Sequence, residues 1–272
     1  MTSGGIPFVK GHGTQNDFVL LPDPDGALEI TDSQVRAVCD RRAGLGADGI
    51  IRIAPAPEAG FVMDYRNADG SIAEMCGNGA RVFARYLVDV GWQQPGTFAF
   101  RTRGGVRTAE LGSSGDVSIE MGPVAVGTES KSELAGRSFA GTSVDVGNPH
   151  LVCMLEADRQ LADLDLTVGP SFDPVLFPVG VNVEFVVPLS ADFIRMRVFE
   201  RGVGETRSCG TGTVAAAAAF RAVSGAVGDK IRVEVPGGSV VVTFSGNGAT
   251  LSGPAVIVAD GTIARDFWER HR

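Results

Sequence analysis

Cys76 and Cys209 stand in the same short setting: Met75-Cys76-Gly77-Asn78-Gly79 and Ser208-Cys209-Gly210-Thr211-Gly212, each followed by an apolar helical run. A cysteine at the mouth of a helix, before residues that leave backbone N–H groups uncovered, is placed to carry a thiolate or to flank a bound anion. For one copy alone, the plainer reading is a tight turn with a satisfied cysteine. Two copies change the argument. If two such turns face one another, two helix N-termini point at one volume suited to a carboxylate, and a thiol lies on either side of a carbon. That is what racemisation requires: one thiolate removes the α-proton, the carbanion flattens, and the opposite thiol returns a proton to the other face.

Magnitudes limit how much the helix ends can do. A free thiol with a pKa near about 8.5 is little ionised at neutral pH. A helix terminus contributes about 0.3–1 kcal/mol, or ~2 when partly buried, whereas catalysis lowers barriers by about 8–23 kcal/mol. A site of this kind must therefore also close and exclude water, so that oriented N–H groups act at low dielectric on the developing oxyanions.

The elements that position the cysteines show the same duplication. Met63 to Gly79 aligns without a gap with Met196 to Gly212, an offset of 133 residues. Asn16 and Asn148 are 132 apart, and Gly46 and Gly180 are 134 apart. Three nearly equal offsets in one order indicate two homologous halves, here 1–124 with a C-terminal tail of 261–272, and 125–260. Within each half, alternating runs such as Ile50–Ile53, Thr97–Phe100, Val117–Glu120, Val183–Val186, Ile231–Glu234 and Val240–Thr243 predict strands. One apolar helix follows each Cys-Gly-x-Gly, Ala80–Val90 and Thr213–Val223, small-sided enough in the second case for burial inside a wrapped sheet. A lesser helix, Asp32–Arg41, is capped by Thr31 or Asp32. Cys39 and Cys153 lie in apolar surroundings and read as core.

Period two places Asn67 in phase with Phe61, Met63 and Tyr65, and Glu200 in phase with Ile194, Met196 and Val198. A carboxylate in a core phase calls for a cationic partner in a cleft; the alternative is that both strands stop short and leave these residues in solvated turns. Gly44-Leu45-Gly46-Ala47-Asp48-Gly49 matches G-x-G-x-x-G, but a helix precedes it and a strand follows. That is the reverse of a dinucleotide fingerprint, so it reads as a turn.

The whole composition narrows the class. With 272 residues there is material for two ordinary domains. A net charge of -8 without long runs of one sign argues against nucleic acid as partner. Met1–Pro7 has no basic and apolar leader pattern and no stretch approaches a membrane span, so a soluble, cytoplasmic protein is expected. Four cysteines without a C-x-x-C pair do not make a disulfide scaffold, and three histidines make a metal site improbable.

Gly11–Phe18 (GHGTQNDF), Met63–Ser71 (MDYRNADGS), Met75–Arg81 (MCGNGAR), Gly147–His150 (GNPH), Val181–Phe185 (VNVEF) and Glu200–Gly212 (ERGVGETRSCGTG) closely resemble the diaminopimelate epimerase family, in family order over nearly the whole chain. The resemblance implies two pseudo-symmetric α+β domains, each a curved antiparallel or mixed sheet around a central apolar helix, with the C-terminal tail returning to the first domain. It implies an epimerase without cofactor or metal that interconverts L,L- and meso-2,6-diaminopimelate for lysine and peptidoglycan synthesis, acting as a homodimer. By position, Cys76 would be the base for the L,L isomer and Cys209 for the meso isomer. The amides of Gly77, Asn78, Gly210 and Thr211 would hold the reacting carboxylate. Asn16, Asn67, Asn148, Asn182, Glu200 and Arg201 would hold the remaining polar groups, with His150 and Glu200 tuning the thiols. Where some members carry a substrate-contacting Gln, this sequence has Gly49. Proline racemase-like enzymes share the paired cysteines but lack this set for a second zwitterion, and related dehydratases lack one cysteine. A redox switch joining Cys76 to Cys209 is a reading from another class, expected as an inactivating state.

Overall fold

The computed structural model describes residues 4–112, 115–225 and 228–272; Met1, Thr2 and Ser3 of the leader reading lie outside them. The alternating runs form strands and the apolar runs form helices, in two compact units, residues 1–119 with 254–272 and residues 120–253.

The first unit contains β1 (Ile6–Gly13), β2 (Asn16–Pro22), α1 (Asp32–Cys39), β3 (Gly49–Ala56), β4 (Gly60–Asn67), α2 (Gly77–Asp89), β5 (Gly96–Thr102), β6 (Gly105–Leu111) and the opening of β7 (Val117–Pro123). The second contains β8 (Ala125–Leu134), β9 (Arg137–Asp145), β10 (Pro149–Met154), α3 (Asp158–Ala162), β11 (Asn182–Ser190), β12 (Phe193–Glu200), β13 (Gly204–Thr206), α4 (Gly210–Ser224), β14 (Lys230–Val235), β15 (Gly238–Ser245) and β16 (Gly248–Gly253). The chain then returns to the first unit as β17 (Val256–Ile263) and α5 (Arg265–Arg270).

Strand pairing carries the repeat. In the first unit the order is β17-β1-β2-β3-β4-β5-β6-β7, parallel only at β2/β3 and β4/β5. In the second it is β8-β9-β10-β11-β12-β14-β15-β16, parallel only at β10/β11 and β12/β14. The two lists correspond strand for strand, with β17 from the C-terminal end filling the edge that β8 fills in the second unit.

Each sheet encloses one helix. α2 packs on β1, β2, β3, β4, β6 and β17, and α4 packs on β8 through β12 and on β14, β15 and β16. A helix met by strands on so many sides must be apolar or small nearly all round. Val214, Ala215, Ala216, Ala217 and Ala219 are wholly buried in α4, as are Ala80, Val82, Phe83, Ala84 and Leu87 in α2. Both helices begin three residues before the expected start. Glycine is a poor helix former in the interior, yet Gly77–Gly79 and Gly210–Gly212 form the first turns, with Cys76 and Cys209 as the N-cap residues. α1 ends at Cys39 rather than Arg41, and its cap is Thr31, which accepts from Gln34 N while Gln34 Oε1 accepts from Thr31 N. That is a reciprocal capping box.

Cys39 lies in the core beside Val35 and Val38, and Cys153 beside Leu151 and Phe185; burial pushes both thiols up to about 12. The C-terminal helix docks on the same core as Cys39 through Trp268, whose carbonyl accepts from Gln34 Nε2 at 3.1 Å. Trp268→Ala should lower stability by about 3–5 kcal/mol in urea unfolding. A change within about 0.5 kcal/mol, typical of surface positions, would mean that the tail is not part of this core. Among the described residues, no helix is long and apolar enough to cross a membrane.

Candidate active site

In the first unit, the short turn between β1 and β2 brings Asn16 to α2. Asn16 Oδ1 accepts from the Cys76 thiol at 3.5 Å and from Asn78 Nδ2 at 3.1 Å, and Asn16 Nδ2 donates to Asp48 Oδ2 at 2.7 Å. Asp48 also accepts from Asp17 N and from Arg41, so the glycine-rich loop ahead of β3 is a turn that fixes Asn16. Asn78 is buried and Cys76 half-buried. The first N–H groups of α2, from Gly77 and Asn78, have no carbonyl of their own helix to reach.

β4 does run through Asn67, in phase with the buried Met63 and Tyr65. The Asn67 side chain accepts from Tyr65 OH at 2.8 Å and donates to Ser71 Oγ at 2.9 Å, so its amide is held rigidly in place. Gly49 pairs with Asn67 across β3 and β4. A Cβ at Gly49 would lie 2.5 Å from Arg66 O and 2.6 Å from Tyr65 Cε2, so Tyr65 occupies the space that a residue 49 side chain would need. Gly49→Gln should therefore destabilise the fold by at least about 1–3 kcal/mol, the range for overpacking. Equal urea midpoints for wild type and Gly49→Gln would contradict this.

In the second unit, the ends of three neighbouring strands converge on Cys209. His150 of β10 pairs in register with Asn182 of β11. His150 Nδ1 lies 2.7 Å from Glu184 Oε1 and Nε2 3.1 Å from Asn148 Oδ1; His150 and Glu184 are both 0% exposed. Asn182 Oδ1 accepts from Arg201 N at 2.9 Å, and the Arg201 guanidinium donates to Val179 O at 2.8 Å. Glu200 sits half-buried at the end of β12, which reaches it as the core phase requires. Among the described residues its hydrogen-bond partners are not cations: it accepts from the Thr206 hydroxyl and from the Cys209 thiol. Neutral donors satisfy this carboxylate because β13 brings Thr206 back alongside β12.

Cys209 is enclosed. Its Sγ accepts from Gly212 N at 3.4 Å and meets Thr211 Oγ1 at 3.6 Å. Burial, and then the carboxylates of Glu200 and Glu184, hold its thiol well above the ordinary range, against the pull of Gly212 N and Thr211. Burial likewise raises Glu200, against the hydrogen bonds from Thr206 and Cys209, and raises Glu184, against the imidazole of His150. Cys209 is thus held as a thiol, a proton donor.

The first unit brings Asn16, Asn78 and Cys76 together with the amide of Gly77; the second groups Asn148, His150, Asn182, Glu200, Arg201, Cys209, Gly210 and Thr211. Sequence reasoning missed Glu184, Thr206, Tyr65 and Arg81. Glu184 carried a signal, a carboxylate in the otherwise apolar strand run Val183–Val187; the others carried none separate from turn or core. All four cysteines are free thiols. No group of three or more His, Cys, Asp or Glu among the described residues is placed to hold a metal ion.

Known proteins resemble this chain along its length. A family model described as diaminopimelate epimerase matches residues 8–126 and 142–262. The diaminopimelate epimerase of Rhodococcus opacus is 49% identical, over 97% of this chain and 99% of its own. That of Corynebacterium glutamicum is 48% identical, over 95% and 98%. Among solved structures, a phenazine biosynthesis protein of the PhzF family from Bacillus anthracis superposes with TM-score 0.74 at 14% identity, over 96% of this chain and 99% of that one. A hydroxyproline epimerase from Agrobacterium vitis with bound trans-4-hydroxy-L-proline does so with TM-score 0.71 at 16% identity, over 98% and 94%. At these identities the structures establish a shared fold.

Proposed function

We propose, from the premise that this chain belongs to the diaminopimelate epimerase family, that it interconverts L,L- and meso-2,6-diaminopimelate by a two-base reaction of Cys76 and Cys209. The observation that carries this reading is the repetition of one device: in each unit a cysteine is the N-cap of the enclosed helix, at the same point in the strand order.

In this mechanism the two turns act on opposite faces of one α-carbon. The Cys76 thiolate takes the α-proton of the L,L isomer, and the electron pair moves into the carboxylate to give an enediolate. The amides of Gly77, Asn78, Gly210 and Thr211 bind those oxygens, in the manner of helix N-termini holding anions. The Cys209 S–H bond then breaks, its proton goes to the opposite face of the carbon, and the meso isomer leaves. Cys76 is now the thiol and Cys209 the thiolate, which is the form that acts on the meso isomer. The raised thiol of Cys209 supports its role as donor in the first direction.

Asn16, Asn67, Asn148, Asn182, Glu200 and Arg201 are proposed to hold the remaining ammonium and carboxylate groups, and His150 and Glu200 to tune Cys209. In Asn67, for instance, Tyr65 and Ser71 fix the amide before any ligand arrives, which reduces the ordering cost of binding. The reaction would serve lysine and peptidoglycan precursor synthesis, in the cytoplasm and as a homodimer.

The test is chiral chromatography of reduced protein incubated with L,L-diaminopimelate, and separately with trans-4-hydroxy-L-proline. The reading expects a mixture of L,L and meso isomers from the first and no change in the second. Inversion of hydroxyproline with diaminopimelate untouched would overturn it.

A further inference from the structure

The glycine-rich loop ahead of β3, Gly44 to Gly49, is built around the placement of one carboxylate. It folds back on the end of α1: Leu45 N donates to Val38 O at 2.9 Å and Ala47 N to Cys39 O at 3.1 Å. Gly44 permits the close approach, since a Cβ there would lie 2.1 Å from Ala37 O. The backbone of Asp48 is then tied on both sides, its N–H donating to Asp17 O at 2.9 Å and its C=O accepting from Ala68 N at 3.0 Å. The carboxylate is tied as well. Oδ1 accepts from Arg41 Nη2 at 2.6 Å, and Oδ2 accepts from Asp17 N at 3.1 Å and from Asn16 Nδ2 at 2.7 Å.

That last bond decides which way Asn16 faces. Paired with Arg41, the Asp48 carboxylate accepts and does not donate. The end of the Asn16 amide that meets it must therefore be Nδ2, which leaves Oδ1 at the other end. There Oδ1 accepts from Asn78 Nδ2 at 3.1 Å and from the Cys76 thiol at 3.5 Å. The backbone ahead of Asn16 is held too: Thr14 and Gln15 form a left-handed pair, φ 50° and 62°, and Arg81 Nη2 donates to Thr14 Oγ1 at 3.1 Å. An acceptor oxygen beside a sulfur favours the S–H form, because a thiolate would meet a lone pair where the thiol offers a donor.

We propose that Asp48 is a positioning residue for Cys76, acting through Asn16: it turns the Asn16 oxygen toward the sulfur, so that Cys76 without substrate is held as a thiol. The ionised fraction of Cys76 is what removes a proton from the L,L isomer, and the S–H bond made in that step then finds its acceptor in place. This deepens the two-base reading and rests on it for its catalytic meaning, but the state of the thiol can be measured without substrate. The other charged groups about Cys76 are Glu74, two residues before it, and His12 on β1. Asp17 on β2 is paired with Lys10 at 2.6 Å and with Arg41 at 2.7 Å. Arg81 is 0% exposed in α2, with Asp116 acting on it. None of these changes in the variants below, so their pull on the sulfur is common to all of them.

The experiment is iodoacetamide alkylation of the reduced, substrate-free protein at pH 7 and pH 10, with Cys76 and Cys209 followed as separate peptides by mass spectrometry. Asp48→Ala frees Asn16 to rotate and offer its N–H groups to the sulfur, which favours the thiolate, the form that iodoacetamide alkylates. Cys76 in this variant should react about threefold or more faster than in wild type at pH 7. At pH 10, where the thiol ionises in both proteins, the two rates should converge. Asp48→Asn removes the charge but keeps an oxygen for Asn16 Nδ2, and should stay within about twofold of wild type at pH 7. Cys209 should keep its rate throughout. Equal rates in wild type and Asp48→Ala at pH 7, an acceleration of the same size at both pH values, or Asp48→Asn reacting as fast as Asp48→Ala would overturn the proposal. Should Asp48→Ala not fold, the wild-type protein still decides by NMR. Asn16 Nδ2 and Asp17 N donate to the same Asp48 oxygen, so a nuclear Overhauser effect between their protons is expected. One from the Asn16 Nδ2 protons to the β-protons of Cys76 instead would show the amide reversed and overturn it. A failed epimerase assay beside the expected alkylation pattern would reject the reaction and leave the role of Asp48 standing.

Discussion

Cys209→Ala should form no detectable meso isomer from L,L-diaminopimelate, yet still exchange the α-proton of the L,L isomer slowly with solvent deuterium. The reason is the division of labour between two faces. Cys76 remains able to remove the proton on its own side, but without the Cys209 thiol nothing delivers a proton to the other side, so the carbanion is reprotonated where it was formed. Cys76→Ala should give the mirror result: the meso isomer exchanges at its reacting centre without inverting. A positioned acid or base contributes about 10²–10⁴-fold, so epimerisation should fall by at least that much in either variant, measured by chiral chromatography beside proton NMR in deuterium oxide. A loss of less than about tenfold in either variant would be too small for a group that carries a proton in the transition state. Cys39→Ala and Cys153→Ala serve as comparison. Both thiols are buried in their cores, and only stability should respond.

His150→Phe should lower stability by about 1–3 kcal/mol at pH 7, the range for leaving a buried hydrogen-bonding group without its partner. Glu184 Oε1 has its imidazole partner at 2.7 Å, and Oε2 has no partner among the described residues. Removing the imidazole takes away the main group that offsets the burial of Glu184. The pH dependence follows from the direction of its shift. Burial raises the folded-state pKa of Glu184 above its ordinary 4.5, so its contribution is fully present below pH 4.5 and is lost as pH rises through the folded value. The variant should therefore be relatively more stable in mild acid and weaken toward neutrality. His150→Phe with Glu184→Leu should recover most of the loss, and the coupling term of that double-mutant cycle isolates the pair. If His150→Phe unfolded at the wild-type urea concentration at pH 7, the pair would not be holding this end of the sheet. Glu184→Gln has a second readout: with one carboxylate charge gone, the Cys209 thiol should become more acidic, because Glu184 is among the groups that raise it.

Those two experiments touch residues of different legibility. Cys76 and Cys209 could be read from the chain because the repeat places them 133 residues apart in matching surroundings, and periodicity of two put Asn67 and Glu200 on the inward faces where the structure has them. The helices were legible in kind but not in extent. Gly77–Gly79 and Gly210–Gly212 are poor formers by propensity, and only packing against the surrounding strands makes them first turns. Glu200 was expected to meet a cation, because the return of Thr206 on β13 is a tertiary event that no local pattern announces. Arg81 is harder still. Within MCGNGAR it reads as an ordinary polar residue near a helix start, yet it is completely buried against the left-handed Thr14–Gln15 turn, whose Thr14 lies 67 residues upstream of it. At position 49, where some family members carry a Gln, this sequence has Gly. The structure gives the physical reason that nothing larger fits: the Arg66 carbonyl and the Tyr65 ring lie across that space.

The most direct measurement of the two-base account is the early time course of deuterium in both isomers, starting from L,L-diaminopimelate and reduced wild-type protein in deuterium oxide. With the proton removed by Cys76 and a different one supplied by Cys209, the first meso molecules should carry deuterium at the inverted centre while the remaining L,L isomer is still protiated. Deuterium appearing equally early in both isomers, or protium carried over into the meso product, would mean that a single group works on both faces, and would contradict the account.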